Sequence, residues 1–213
     1  MHFHIVTLFP KAFGSYLGES ILRRAIEDKK IKVSFYNPRD FTKDKFKRID
    51  RPPYAGGPGM VIQAEPVIAA VAKAISGKKK TKIIFLSPSG KQFDNQYANK
   101  ISKIYKDVVM VCGRYEGIDA RVKKVFKMDT ISVGPFVLTG GELPAMIIMD
   151  AMSRQVPGVL GNFDSIEERR VASSDVYTRP AVFKYKGKSY RVPKILLSGH
   201  RAKIEEWKKS KKR

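Results

Sequence analysis

Cysteine is all but missing from this chain of 213 residues: Cys112 stands alone, so no intrachain disulfide can form and a metal-thiolate centre is not expected. Histidine is scarce too, and His2, His4 and His200 do not fall at zinc-ligand spacing, so no metal site is expected. No apolar run approaches the roughly 18 residues that a membrane span needs. The N-terminal His2-Phe3-His4-Ile5-Val6-Thr7-Leu8-Phe9 lacks a basic lead and a cleavage pattern, which predicts a cytoplasmic protein with no membrane partner. Acidic residues are in short supply: 20 Asp and Glu face 42 Lys and Arg, a net charge of +22. An excess of that size points to a polyanion, because each neutralised phosphate releases counterions and the gain adds along a backbone. Nucleic acid fits this best, with a merely well-solvated surface and an anionic membrane as the alternatives. What is present in quantity, 43% apolar and 10% aromatic residues, suffices for a buried core and excludes disordered or collagen-like classes.

Residues 3–9 alternate as a strand, and Ser20 precedes a helical face of Ile21, Leu22, Ala25 and Ile26 with Arg23 and Arg24 on its wet side. Lys32 to Tyr36 reads as a second strand stopped by Asn37-Pro38. From Arg39 to Arg51 no apolar period exists, and the glycine-proline stretch to Met60 continues that loop. Pro66 suits the first turn of a helix bearing Val67, Ile68, Val71 and Ile75, closed by Ser76-Gly77-Lys78. Three units then repeat one layout of strand, glycine loop and helix. Lys82–Leu86 ends in Ser87-Pro88-Ser89-Gly90, before a helix with Tyr97, Ile101, Ile104 and Tyr105. Val108–Val111 ends in Cys112-Gly113-Arg114-Tyr115-Glu116-Gly117, before a helix with Ile118, Val122, Val125 and Phe126. Thr130–Val133 ends in the loop 134–141, before a helix from Pro144 to Val156. This layout predicts an α/β fold with a parallel sheet whose loops gather at the carboxyl ends of the strands, where a ligand crevice belongs.

Beyond Pro157-Gly158 the periodicity lapses, and the chain divides into a domain over 1–160, a linker over 161–176 and a small basic module over 177–213. In the last, Phe183–Tyr190 suggests a hairpin, and Ser198 can cap a final helix carrying Ile204 and Trp207. From Lys184 onward the net charge is +10, nearly half of the excess.

The glycine loops let backbone approach a ligand closely, though each glycine alone also suits an ordinary turn. Their spacing matches neither a dinucleotide fingerprint nor a phosphate-binding P-loop. Arg154, with Asp150 one turn before it, fits an i, i+4 ion pair at a helix C-terminus. Glu116 suits either a first-turn dipole residue or a ligand contact, Asp119 and Arg121 read as solvated charges, and Tyr54 as a packed loop aromatic, a base-stacking platform or a cover over a pocket.

The strings Pro53-Tyr54-Ala55-Gly56-Gly57-Pro58-Gly59-Met60, Leu86-Ser87-Pro88, Val111 to Asp119, Val137 to Met146, Pro157-Gly158-Val159-Leu160-Gly161, Tyr177-Thr178-Arg179-Pro180 and Leu196-Leu197-Ser198-Gly199 closely resemble the bacterial tRNA (guanine-N1)-methyltransferases of the SPOUT superfamily, in order and from residue 1 to about 207. The resemblance implies a deep trefoil knot in the parallel sheet domain, a shortened C-terminal module, a homodimer with active sites at the subunit interface, and methylation of N1 of guanosine 37 beside the tRNA anticodon. It implies S-adenosylmethionine as methyl donor, held by Leu86, Ser87 and Pro88, by Gly113, Tyr115 and Glu116, and by Val133, Gly134, Pro135, Phe136, Val137 and Leu138 with Gly140 and Gly141. Relatives are reported to use Mg2+, which the sequence neither demands nor forbids. Arg154 matches the family's arginine that steadies the negative charge gathering on O6 as the N1 proton leaves.

The expected general base, an aspartate in the interdomain linker, has no counterpart here. Aligning forward from Gly161 puts Arg169 at its place and makes Glu168 the nearest carboxylate, with Glu167, Asp164 and Asp175 behind it. Pro135 replaces a usual aspartate, and His200-Arg201 a usual Asn-His. The missing aspartate leaves two alternatives to the methyltransferase reading: a catalytically impaired RNA-binding protein on the same scaffold, and a related enzyme methylating another RNA position.

Overall fold

Apolar runs without a polar face become strands covered on both sides. In the computed structural model, which describes residues 1–161 and 175–211, one unit, Met1–Leu160, holds in chain order β1 (His2–Val6), α1 (Gly14–Leu17), α2 (Ser20–Glu27), β2 (Lys32–Tyr36), β3 (Asp50–Arg51), β4 (Val61–Ile62), α3 (Ala64–Ile75), β5 (Thr81–Gln92), α4 (Asn95–Ile104), β6 (Asp107–Val111), α5 (Val122–Val125), β7 (Asp129–Ser132) and α6 (Glu142–Ser153). The second unit, Gly161–Arg213, holds β8 (Val182–Tyr185), β9 (Lys188–Arg191) and α7 (Arg201–Ser210).

Five strands form one parallel sheet in the order β2-β1-β6-β5-β7. Alternation along each strand feeds two cores. Phe3, Ile5, Ile84, Val108 and Met110 pack with α2, α4 and α6, while Val6, Ile83, Phe85, Val109 and Val111 pack with α3 and Val122 of α5. Both faces are thus dry, as a parallel sheet requires. Helix ends follow local chemistry: Asp94 caps α4 by accepting from the Tyr97 N–H at 2.7 Å, and Glu65 and Pro66 lie in the first turn of α3.

The three-fold layout holds less regularly than its sequence suggests. Strand β5 does not end at Leu86: Leu86 and Lys91 both register with Ile131, so residues 87–90 leave the ladder and the chain returns to the same neighbour. The return needs Gly90, where a Cβ would lie 2.5 Å from the Ile131 backbone nitrogen. The helix expected from Ile118 to Phe126 is a single turn, because Ile118 instead bridges Ile62 beside β4, and Val125 is exposed. Ile21 and Ile104 also face solvent although their spacing puts them on apolar faces.

In the second unit the hairpin turns through Lys186 and Gly187, both at positive φ, which matches the twist of the two strands. Phe183 and Tyr190 oppose each other with rings stacked 5.2 Å apart, and Tyr177 lies 6.2 Å from Trp207. Ser198 does not cap α7, which starts after His200; its hydroxyl donates to the Ile195 carbonyl and accepts from the His200 N–H, closing a turn one step earlier.

Candidate active site

Three loops close around one cavity of about 440 Å³ at the carboxyl ends of β5, β6 and β7. Leu86, Ser87 and Pro88 come from the excursion in β5, Gly113 to Ile118 from the loop after β6, and Val133, Phe136, Val137, Leu138, Thr139, Gly140 and Gly141 from the loop after β7. Twelve of the fourteen residues proposed for cofactor binding line it; Gly134 and Pro135 do not. Gly134 is buried, and the place of its missing Cβ is taken by the Phe136 ring, so its role is to let that ring fold over the backbone. Pro135 is exposed.

The loops are held by backbone contact rather than by bulk. The Gly141 N–H donates to the Gly113 carbonyl at 2.9 Å, Arg114 bridges Gly140, and a Cβ on Gly141 would sit 2.6 Å from Cys112 Cα. Tyr115 at φ 57° and Gly117 at φ 116° turn the middle loop back on itself. Its carboxylate, Glu116, is packed against the glycine-proline stretch: the Glu116 N–H donates to the Met60 carbonyl, and a Cβ on Gly59 would strike Oε1. No helix starts near it, so the first-turn reading of Glu116 is set aside in favour of a wall of the cavity. Tyr54, in the same stretch, is 98% exposed and packs on nothing, which removes the covered-aromatic reading. Arg121 is solvent-exposed, as expected, and pairs with the partly exposed Asp119 at 2.7 Å.

A buried carboxylate ties the first strand to two of these loops. Glu142, at the start of α6, accepts from the Thr7 hydroxyl at 2.7 Å and from Arg114 Nε at 2.9 Å, while Arg114 also reaches the Thr139 carbonyl and lies over the Phe9 ring. In the sequence Arg114 and Glu142 stand out only as members of the glycine-rich strings. Their signal was a charged residue set between glycines or just after them. Ser132, Lys123 and Pro144, which also line the cavity, carried no such signal. Cys112 is fully buried, and that burial pushes its thiol well above the usual range, so it offers no nucleophile.

Arg154 caps the C-terminus of α6, half-buried, and is not among the cavity-lining residues. Asp150, its expected partner, accepts the Tyr16 hydroxyl, a bond that, with partial burial, pushes the phenol up to about 12. Leu143 and Ile147 lie exposed on α6 at i and i+4, and Asp150 and Arg154 continue their spacing. Glu168, with Glu167 and Asp164, lies outside the described residues. The expectation of no metal-ligand cluster meets one exception among the described residues: His2, His4 and Asp107 offer ligand atoms within 4.8 Å of one another. Spacing within the sequence could not show this, because Asp107 arrives from another strand.

The whole chain, residues 1–213, matches the family model described as tRNA (Guanine-1)-methyltransferase TrmD. This chain belongs to that family. It is similar to the tRNA (guanine-N(1)-)-methyltransferase of Clostridioides difficile, 42% identical over 215 residues that cover 98% of this chain and 91% of the relative. To the enzyme of the same name from Citrifermentans bemidjiense it is 44% identical, covering 98% of this chain and 84% of the relative. Among solved structures, that of the tRNA (m1G37) methyltransferase from Aquifex aeolicus superposes with a TM-score of 0.79 at 36% identity, covering 99% of this chain and 88% of that one. No helix among the described residues is long and apolar enough to cross a membrane.

Proposed function

We propose that this member of the tRNA (guanine-1)-methyltransferase family transfers a methyl group from S-adenosylmethionine to N1 of guanosine 37 of tRNA, in the cytoplasm. The observation that carries the reading is the convergence of three glycine loops on one cavity, in a chain that matches the family from end to end. The cavity's size is that of a small-molecule site. Its lining suits the donor: Leu86, Pro88, Phe136, Val137 and Leu138 offer apolar contact to a purine, Gly113 and Gly140 let a ligand approach the backbone closely, and Glu116 offers negative charge to a sulfonium or ammonium. When bound, the donor supplies an electrophilic methyl. The deep trefoil knot that the family resemblance implies is part of the proposal.

N1 of guanine carries a proton near neutral pH, so the protein must remove it and steady the charge left on O6. Arg154 is assigned the second task and Glu168 the first. Since Arg154 does not line the cavity of its own chain, we assign it to the cavity of a second copy, with exposed Leu143 and Ile147 of α6 in the contact. The basic module at 177–213 is assigned to the anticodon stem-loop.

The test is transfer of labelled methyl to unmodified tRNA, followed by mapping of the modified base. Label at N1 of guanosine 37 supports the proposal. Retention of tRNA without transfer would make the chain a binder, and label at another position a different methyltransferase.

A further inference from the structure

The amino-terminal edge of the sheet, opposite the cavity, gathers a second set of functional groups that the methyl-transfer reading does not use. Alternation in β1 puts His2 and His4 on one face, and parallel register places Asp107, the first residue of β6, directly beside His2. His4 Nε2 lies 2.9 Å and His2 Nδ1 3.7 Å from the same carboxylate oxygen, Oδ1 of Asp107. We propose that His2, His4 and Asp107 form a binding site for a divalent transition-metal ion of the zinc class.

The spacing and second partners of these donor atoms suit a metal ion. Tetrahedral coordination with bonds near 2.0–2.1 Å sets neighbouring ligand atoms about 3.3 Å apart, and the two observed separations fall on either side of that value. A histidine that ligates through one nitrogen needs a partner for the other. Here each far nitrogen has one, and both come from β2: Ser34 Oγ lies 2.8 Å from His2 Nε2, and the Tyr36 hydroxyl 3.0 Å from His4 Nδ1. Ser34 and Tyr36 share the face because β2 pairs with β1 in register. In the ligating form each ring N–H donates to its hydroxyl oxygen, and both free ring nitrogens face Asp107.

A third observation completes the shell. Thr81, the register partner of Asp107 on β5, holds a buried hydroxyl with no hydrogen-bond partner among the described residues. A water in the fourth coordination position would supply one. His4 is fully buried, while His2 and Asp107 are about a quarter exposed, so the ion would enter from their side. Lys32 and Lys78 act electrostatically on both rings. That positive charge opposes any cation, so affinity must come from the donor set: two imidazole nitrogens and one carboxylate suit a transition-metal ion, whereas magnesium and calcium take oxygen ligands. The ion would clamp β1 to β6.

The test uses the full chain freed of metal by a chelator and titrated with Co2+, whose visible absorption reports coordination, and with Zn2+ in competition. One Co2+ per chain, displaced by Zn2+, with a raised Tm, is expected. His2→Ala, at a partly exposed position, should abolish the absorption while the protein stays folded by circular dichroism; Asp107→Ala should do the same. Ser34→Ala should weaken binding by about 10- to 100-fold, as loss of a partner to a ligating histidine does. His200→Ala should change nothing. Absence of stoichiometric binding, or binding that survives His2→Ala or is lost with His200→Ala, overturns the proposal.

Discussion

The two units of this protein solve opposite problems. Unit 1 buries the sheet on both faces and leaves a cavity whose walls are fixed by backbone contacts. In unit 2 no residue from 175 to 211 is buried; Phe183, Tyr185 and Leu197 are more than half exposed, and order comes from hairpin hydrogen bonds and paired rings. A dense core holds a small ligand's groups in place, whereas a thin, positively charged module can follow a phosphate backbone but gains little stability from burial. Donor handling and RNA handling are therefore expected to respond to different substitutions.

The sharpest break between them is expected at Arg154. Arg154→Ala should slow single-turnover transfer by about 10²–10³ or more, the range for losing a donor to a developing oxyanion, while donor affinity measured by calorimetry stays within a few-fold. Loss of donor binding together with rate would give Arg154 a structural role instead. Glu168→Gln follows: at saturating substrates kcat should fall by about 10² with tRNA retention unchanged, and Glu167→Gln, Asp164→Asn and Asp175→Asn serve as comparisons. Normal turnover in Glu168→Gln beside a dead Asp175→Asn would move the base toward Tyr177. Gly141→Ala should cost unit 1 about 1–3 kcal/mol through its clash with the Cys112 backbone, seen as a lower Tm and weaker donor binding. The smallest effect belongs to the tail. Removing the six residues after Trp207, five of them basic, should weaken tRNA binding and flatten its salt dependence by about 0.7–0.9 in slope per lost phosphate contact, with donor affinity unchanged. An unaltered slope would mean that these lysines only solvate the chain end.

The parallel sheet was legible because β5 and β6 hold continuous apolar runs and the first strand alternates, and the cavity loops were legible as glycine clusters reinforced by the resemblance. What escaped reading was contact between distant segments. Ile118 has helical spacing, yet a bridge to Ile62 outweighs it. The excursion of β5 shows only against its neighbour, since Leu86 and Lys91 claim the same partner. Glu142 meets Thr7 across 135 residues, and Asp107 meets His4 across 103. Periodicity describes how a segment turns a face to the core; it does not say which polar groups the fold brings together there.

Four glycines, Gly113, Gly117, Gly140 and Gly141, leave main chain bare in the cavity lining. Amide and carbonyl groups are common to every amino acid and are not edited by a codon change. At Gly140 and Gly141 the simplest change, a methyl group, collides with Arg114 or with the Cys112 backbone. An inhibitor packed closely against Gly140 and Gly141 would leave the protein few single-step routes to resistance there, and would push escape toward neighbouring side chains such as Tyr115, Phe136 and Val137.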